Sequence, residues 1–333
     1  MFRPVLKTIA CAGALGAFIA LLVACSSSSS SHPADGPDSS APQEAGVTDA
    51  GTPEATIEAS TIDAAGIVAA RPYTLYVPAG YSAGTPAPLL VMFHGYGASG
   101  ALEEAYMAMK NASDANSFLY AYGDGTLDIS GNRFWNATDA CCDFWGNPVD
   151  DVQYFDAIVA DVESKYSVDR KRIYVMGHSN GGFMSHRLAC DRTSTIAAIF
   201  SLAGAEWDDL SRCSPSGPIS VAEVHGTADT TIYFDGGTTT ADGGTGGTYP
   251  SAPTTITDWG QKNGCTGPLA PNGQTYTIDG TLPPGQTQVQ AFSGCPAGID
   301  VQLWVVQGGE HVPTLTSAWS SQVWGFLSTH SKP

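Results

Sequence analysis

The chain alternates between short apolar runs and longer segments with helical periodicity. The runs Leu89–Phe93, Ile219–His225 and Val301–Val306 are short and mostly apolar, which is typical of buried strands. Residues 152–166 are an example of the other kind of segment, because their apolar side chains recur every three or four positions. Since strands and helices alternate, we expect an α/β fold with a mostly parallel central sheet flanked by helices.

The first 66 residues differ from the rest of the chain. Two basic residues precede an apolar stretch, Ile9–Val23, that is short for a transmembrane span and is followed by a small residue and Cys25. This pattern predicts a lipoprotein signal peptide over residues 1–25 with Cys25 lipidated; simple secretion with cleavage nearby and an uncleaved anchor stay open. Residues 26–66 have few bulky apolar side chains and predict a disordered tether. Residues 67–333 then form a single domain.

Acidic residues outnumber basic ones by 32 to 14, which gives a formal net charge of −18. Such a surface argues against binding to nucleic acid and against docking on anionic membranes, so we expect membrane contact only through a lipid on Cys25. From the predicted signal peptide we expect an exported protein, either an outer-membrane or cell-surface lipoprotein or an extracellular protein. We also expect a monomer.

The segment Arg172–Phe183 carries the pattern of a catalytic serine. It is strand-like before the pentapeptide GHSNG and helix-like after it. A G-x-S-x-G pentapeptide between a strand and a helix is typical of a nucleophile elbow, which would expose Ser179 at a sharp turn. Gly177 and Gly181 would let the helix pass close to the strand. The backbone N–H of Asn180 would face a developing oxyanion.

Two later residues complete a catalytic triad in the chain order Ser, Asp, His. Asp229 follows the strand predicted at 219–225, and His311 lies on a glycine loop after the strand predicted at 301–306. Open α/β sheets carry their active-site loops at the carboxyl ends of the strands. We predict Ser179 as nucleophile, His311 as general base and then acid, and Asp229 as the group that orients His311. The rival acids are Asp208, Asp209 and Asp235.

The loop after the strand Leu89–Phe93 should supply the second oxyanion donor. We predict the backbone N–H of Tyr96, with that of Gly97 as the alternative; a plain glycine turn stays open. Aromatic side chains in loops after predicted strands suit flat phenolic acids or sugar rings, although some of them would be ordinary core residues. The predicted substrate-binding residues are Trp135, Trp145 and Trp207.

Six cysteines follow the predicted tether, and an even number in an exported domain predicts three disulfides. Their connectivity cannot be deduced from the sequence. The favoured pairing is Cys265 with Cys295 and Cys190 with Cys213, which leaves the adjacent pair Cys141 and Cys142. We expect no metal site, because paired C-x-x-C spacing is missing, and the predicted chemistry needs no cofactor.

Several separated motifs resemble one family. They are LLVMFHGYG, FWNATDACC, the block that runs from VDDVQYF through GHSNGG to HRLAC, HGTADTTI and GGEH. From about Arg71 to about Phe326 the chain resembles the secreted polyhydroxybutyrate depolymerase and feruloyl esterase family, grouped with carbohydrate esterase family 1. The resemblance implies an α/β-hydrolase and gives the catalytic roles to Ser179, Asp229 and His311. The chain departs from GGGHTWP, the form expected of relatives, because the aromatic residue after the histidine is missing.

The motifs together predict acyl transfer through a Ser-His-Asp triad. A feruloyl or acetyl xylan esterase on plant polysaccharide is the first expectation, and a polyhydroxybutyrate depolymerase is the alternative. Extracellular depolymerases of that kind commonly carry an additional polymer-binding domain. We expect no such domain here, which weighs against an insoluble polyester as substrate. A catalytically inactive lipoprotein that binds glycans is a remoter alternative.

Overall fold

The computed structural model describes residues 63–240 and 244–333, which belong to one compact unit. The predicted signal peptide, the predicted lipidation site Cys25 and all but the last residues of the predicted tether lie outside the described residues.

A nine-stranded sheet forms the centre of the domain. The strands of the domain, including two short hairpins, are β1 (Tyr73–Tyr76), β2 (Ala87–Phe93), β3 (Leu119–Gly123), β4 (Thr126–Leu127), β5 (Arg133–Phe134), β6 (Val168–His178), β7 (Ala198–Leu202), β8 (Ser220–Gly226), β9 (Gly237–Thr238), β10 (Thr248–Tyr249), β11 (Leu269–Tyr276), β12 (Thr287–Phe292) and β13 (Val301–Val306). The order in the sheet is β1-β3-β2-β6-β7-β8-β13-β12-β11. Strands β3 to β13 in this order are parallel to their neighbours, and β1, β12 and β11 add antiparallel edges. The mostly parallel sheet predicted from the sequence is confirmed.

Helices cover both faces of the sheet. They are α1 (Ala64–Ala70), α2 (Gly100–Met107), α3 (Met109–Asn116), α4 (Asp151–Lys165), α5 (Asn180–Asp191), α6 (Ala252–Lys262) and α7 (Trp319–Leu327), with a 3₁₀ turn at Leu210–Arg212. Helices α4, α5 and α6 pack on one face, and α3 and α7 pack on the other. Of the helices in the described parts of the chain, none is both long and apolar enough to span a bilayer.

The apolar runs become strands that are buried on both faces. In β2, Leu89, Val91 and Phe93 point into the core beneath α4 and α5, whereas Leu90 and Met92 point into the core beneath α3 and α7. Successive side chains of a strand point to opposite faces, so a sheet covered on both faces requires continuous apolar runs rather than alternation.

The predicted boundary between the tether and the domain lies a few residues too late in the sequence. The tether was predicted to end at Gly66, but helix α1 already begins at Ala64, so the predicted boundary falls inside a helix. The side chain of Asp63 caps this helix by accepting the N–H of Gly66 at 2.9 Å, and alanine favours helix formation. Ile67 and Val68 then pack against the core.

The structure forms the three disulfides of the favoured pairing, Cys190–Cys213, Cys265–Cys295 and Cys141–Cys142. The first joins the end of α5 to the loop after β7, and the second joins the loop after α6 to the turn after β12. These two disulfides link residues 23 and 30 positions apart and so close loops of the chain, which disfavours the unfolded state.

Strands β2 and β6 and helix α5 make a close backbone contact. A Cβ atom added to Gly181 would overlap the carbonyl oxygen of Phe93, and one added to Gly177 would overlap the carbonyl oxygen of Gly181. Both obstacles are backbone atoms rather than mobile side-chain ends, so a larger residue would push a strand or the helix away. These two glycines therefore allow the turn between β6 and α5.

We expect Gly181→Ala to lower the free energy of unfolding by about 1–3 kcal/mol, because its methyl group would force α5 away from β2. Gly325→Ala is the matched control: Gly325 also lies in a helix, but an added Cβ meets nothing within 4 Å. The control should be neutral, or stabilising by about 0.5–1 kcal/mol, since alanine favours helices. Urea denaturation followed by tryptophan fluorescence measures both values, and equal stability of Gly181→Ala and the wild type would contradict the steric argument.

Candidate active site

Three side chains predicted to be catalytic form a chain of hydrogen bonds. His311 Nε2 lies 2.9 Å from Ser179 Oγ, and His311 Nδ1 lies 2.7 Å from Asp229 Oδ2. These residues follow β6, β8 and β13, at the carboxyl ends of three parallel strands. The sheet thus brings together residues that are far apart in the sequence, in the arrangement of a Ser-His-Asp triad.

The backbone of Ser179 has an uncommon conformation. Its φ of 54° and ψ of −119° lie in a region that residues with a side chain rarely occupy. Two hydrogen bonds hold it there, from Ser179 N–H to the carbonyl of Leu202 at 2.8 Å and from Phe183 N–H to the carbonyl of Ser179 at 2.9 Å. The turn places the hydroxyl group at the end of β6, within hydrogen-bond distance of His311 Nε2.

Asp229 is held as a carboxylate. Its Oδ1 accepts the backbone N–H groups of Thr231 at 2.8 Å and Ile232 at 2.9 Å, and its Oδ2 faces His311 and, at 3.4 Å, His225. Burial alone would raise the pKa of Asp229, but the hydrogen bonds from His225 and His311 outweigh burial and hold this pKa well below its usual range. The carboxylate can therefore orient His311 and stabilise its charged form.

His311 is suited to act as a base. Burial lowers the pKa of its ring, the neighbouring His178 and His225 lower it further, and the hydrogen bond with Asp229 opposes this decrease only in part. A neutral ring that donates from Nδ1 to Asp229 presents a free lone pair on Nε2 to the Ser179 hydroxyl.

The two residues predicted to donate to the oxyanion are near Ser179: Asn180 follows it in the chain, and Tyr96 lines the same cavity. Asn180 is the first residue of α5, where an N–H group has no acceptor within the helix. In the loop after β2, the N–H of Gly97 donates to the carbonyl of Arg133 at 2.8 Å, whereas the hydrogen bonds of the described residues include no acceptor for the N–H of Tyr96. The geometry favours Tyr96 over Gly97 as the second donor to an oxyanion.

An open cavity of about 380 Å³ lies beside the triad. Its wall includes Tyr96, Leu102, Tyr106, Ser179, His311 and Val312. Leu102 and Val312 are 65% and 59% exposed, so the rim of the cavity is apolar. Tyr106 donates its hydroxyl hydrogen to the carbonyl of Pro313 at 2.9 Å, which ties α2 to the loop that carries His311. A small organic acyl group fits a cavity of this size.

The prediction that Trp135 binds substrate is wrong. Its side chain is fully buried, and its indole N–H donates to the carbonyl of His94 at 2.9 Å. The backbone of Trp135 exchanges two hydrogen bonds, of 2.7 and 2.9 Å, with the side-chain amide of Asn180. Trp135 therefore supports the nucleophile turn from inside the core, where no substrate can reach it.

The other two tryptophans predicted to bind substrate lie outside the wall of this cavity. Trp207 is buried, and the guanidinium of Arg212 lies 4.1 Å from its ring centroid. Trp145 packs edge-on against Phe144, which packs edge-on against Tyr96 of the cavity wall. Trp145 thus contacts the site only through a second layer of aromatic rings.

Two buried histidine–glutamate contacts at the site were not predicted from the sequence, one between His178 and Glu103 and one between His225 and Glu223. The available signal was a single acidic residue, Glu223, inside a mostly apolar strand, because buried carboxylates require partners. Among the described residues, a group with metal-ligand geometry consists of Cys190, Glu206 and Cys213. Its two cysteines form a disulfide, which removes the thiolates that a metal would bind.

Comparison with known proteins places the chain among esterases. No family model matches it. It is 29% identical over 260 residues to feruloyl esterase B of Piromyces equi, which covers 77% of this chain but only 44% of the Piromyces protein. It is 28% identical over 249 residues to feruloyl esterase D of Neurospora crassa, with 74% of this chain and 75% of that protein covered.

A solved structure shares the fold. The acetyl xylan esterase from Aspergillus awamori superimposes with a TM-score of 0.55 at 14% identity, over 77% of this chain and 93% of that one. The chain therefore has the fold of an α/β-hydrolase, and the proteins that it resembles in sequence are named as esterases.

Proposed function

We propose that the protein is a serine carboxylic ester hydrolase. The observation that carries the proposal is the hydrogen-bonded chain of Ser179, His311 and Asp229 in the wall of an open cavity. Ser179 attacks the ester carbonyl while His311 Nε2 takes its proton, and the N–H groups of Asn180 and Tyr96 bind the oxyanion. His311 then protonates the departing alcohol, and water releases the acid by the reverse sequence of proton transfers.

The proposed substrate is a feruloyl or acetyl ester on plant polysaccharide. The names of the relatives support this class, since two similar proteins are feruloyl esterases. The rings of Tyr96 and Tyr106, together with the apolar Leu102 and Val312, form a wall that suits a flat phenolic acyl group. The exposed aliphatic side chains of the same rim also suit a hydroxybutyrate chain, so a polyester depolymerase is the second candidate.

We expect Ser179→Ala to lower kcat/KM at least about 10⁴-fold, because the triad acts as a unit. Ser321→Ala is the control, since Ser321 lies on the exposed surface of α7. A fluorophosphonate probe should label the wild type and the control but not Ser179→Ala. Folded wild type that the probe does not label would contradict the esterase proposal and favour a glycan-binding protein.

The substrate class is tested by comparing kcat/KM for methyl ferulate, a short-chain acetyl ester and a hydroxybutyrate oligomer. We expect methyl ferulate to be preferred by tenfold or more, which corresponds to about 1.4 kcal/mol of differential transition-state binding. A preference for the acetyl ester would keep the polysaccharide class with a smaller acyl group. A preference for the oligomer would establish the polyester alternative instead.

We also propose that Cys25 carries the lipid of an exported lipoprotein, on the basis of the apolar stretch and small residue that precede it. A clickable palmitate analogue should label the wild type in cells and should not label Cys25→Ala. Cys11→Ala is the matched control, because Cys11 lies within the apolar stretch and should be removed with the signal peptide. Equal labelling of the wild type and Cys25→Ala would contradict lipidation at this site.

A further inference from the structure

Two buried histidines flank the catalytic pair, and each faces a buried glutamate. His178 directly precedes Ser179, and its Nδ1 lies 3.4 Å from Glu103 Oε1. His225 lies in β8, and its Nδ1 lies 3.1 Å from Glu223 Oε1. The four side chains of these pairs are at most 8% exposed. Charged groups are costly to bury, and the proposed hydrolysis uses none of these four residues.

His178 contacts the loop that carries the base. Its Nε2 lies 3.0 Å from the carbonyl oxygen of His311, and the two ring centroids are 5.0 Å apart. A carbonyl oxygen only accepts hydrogen bonds, so Nε2 of His178 carries a hydrogen. Its other nitrogen faces the carboxylate of Glu103, which favours a second hydrogen there and a positive charge on the ring. Glu103 also accepts the N–H of Gly95 at 3.1 Å, next to the proposed oxyanion donor.

His225 lies beside the carboxylate of the triad and also has two acceptors near Nε2. Its Nε2 lies 2.8 Å from the carbonyl oxygen of Ile232 and 3.4 Å from Asp229 Oδ2. Both of these atoms are acceptors, so Nε2 carries a hydrogen, and Nδ1 faces Glu223.

The proton between Glu223 and His225 can be placed from their neighbours. Trp259 donates its indole N–H to His186 Nδ1 at 3.0 Å, so a neutral His186 carries its hydrogen on Nε2. That Nε2 lies 3.0 Å from Glu223 Oε2, and Gly204 N–H donates to Glu223 Oε1 at 3.1 Å. With hydrogens directed at both oxygens, Glu223 is a carboxylate, and the shared proton belongs to His225.

The directions of the pKa shifts agree with this placement of the protons. Burial alone would lower the pKa of both histidines, but Glu103 raises the pKa of His178, and Asp229 and Glu223 raise the pKa of His225 to about 9. Burial alone would raise the pKa of Glu223, but hydrogen bonds from His186 and His225 lower it.

We propose that His178 and His225 are positioning residues that keep His311 neutral: each places a fixed positive charge beside the His311–Asp229 pair, and His178 also holds the backbone of His311 by a hydrogen bond. The proposal rests on the proposed esterase function, because it concerns the base of that reaction. Two cations nearby disfavour a third, so His311 remains a free base at a lower pH than an ordinary histidine would. Activity therefore extends into mildly acidic conditions.

Other titratable groups surround this centre and are held constant in the test. They are Asp229 after β8, Tyr106 on α2, Glu310 on the His311 loop, and Tyr249 on β10 near Asp229. Burial raises the pKa of both tyrosines, so neither changes charge over the range in which His311 titrates.

The test replaces each ion pair by neutral amides of similar shape. The variants are Glu103→Gln with His178→Gln and Glu223→Gln with His225→Gln, and His330→Gln is the control. His330 is also a buried histidine, but it packs on Phe326 and faces Asp300. Asp300 lies at the amino end of β13, whereas the triad lies at the carboxyl ends of the strands. The readout is the rate of Ser179 labelling by a fluorophosphonate between pH 4 and 9, together with kcat/KM for methyl ferulate.

We expect the midpoint of the acid limb to rise by about one pH unit in each double variant and to stay in place in the control. A purely structural role would lower the plateau without moving this midpoint. An unmoved midpoint in folded double variants would overturn the proposal.

Nitrogen-15 NMR of the wild-type histidine rings tests the same point without substitution. At pH 7.5 we expect His178 and His225 to be imidazolium and His311 to be neutral; neutral rings at 178 and 225 would overturn the proposal even if the double variants fail to fold. This measurement requires no turnover. Wild type that hydrolyses no ester would therefore contradict the proposed function alone.

Discussion

The active site depends on how closely three backbone segments approach one another. Gly181 packs against the carbonyl of Phe93, and this contact draws α5 tightly onto β2 and β6. Only with the helix so close does the chain turn within one residue, at Ser179, whose positive φ is held by the carbonyl of Leu202. The side-chain amide of Asn180 is fixed in turn by the backbone of Trp135. The nucleophile therefore projects from rigid backbone.

The sheet register sets the other half of the site. Val306 of β13 pairs with Gly226 of β8, so the loops that carry His311 and Asp229 leave neighbouring strands at the same level. Ala228 N–H donates to the carbonyl of Gly309 at 2.9 Å, which joins the two loops directly. The distance between acid and base is thus determined by strand pairing.

The parts of this arrangement that could be predicted from the sequence are those that have a local sequence pattern. Apolar runs marked β2, β8 and β13, and the elbow pentapeptide and chain order marked the residues that the structure brings together. The buried state of Trp135 was not predicted, because it depends on packing against distant segments. The helix at Ala64–Ala70 had a local signal, the capping residue Asp63 before a run of alanines, that the low apolar content of the preceding residues obscured. Glu103 was not predicted either, because its partner His178 lies on another element, β6. Glu223 contacts His225 of its own strand and His186 of α5, and only the assembled fold brings all three together.

Helix α2 places two adjacent residues in opposite surroundings. Leu102 is 65% exposed on the rim of the cavity, whereas Glu103 is buried against the nucleophile turn and the His311 loop. Neighbouring positions of a helix face directions about 100° apart, so substitutions at Leu102 alter the rim while Glu103 stays in place. The rim of the cavity and the buried support of the nucleophile turn can therefore vary independently, although one turn of α2 carries both.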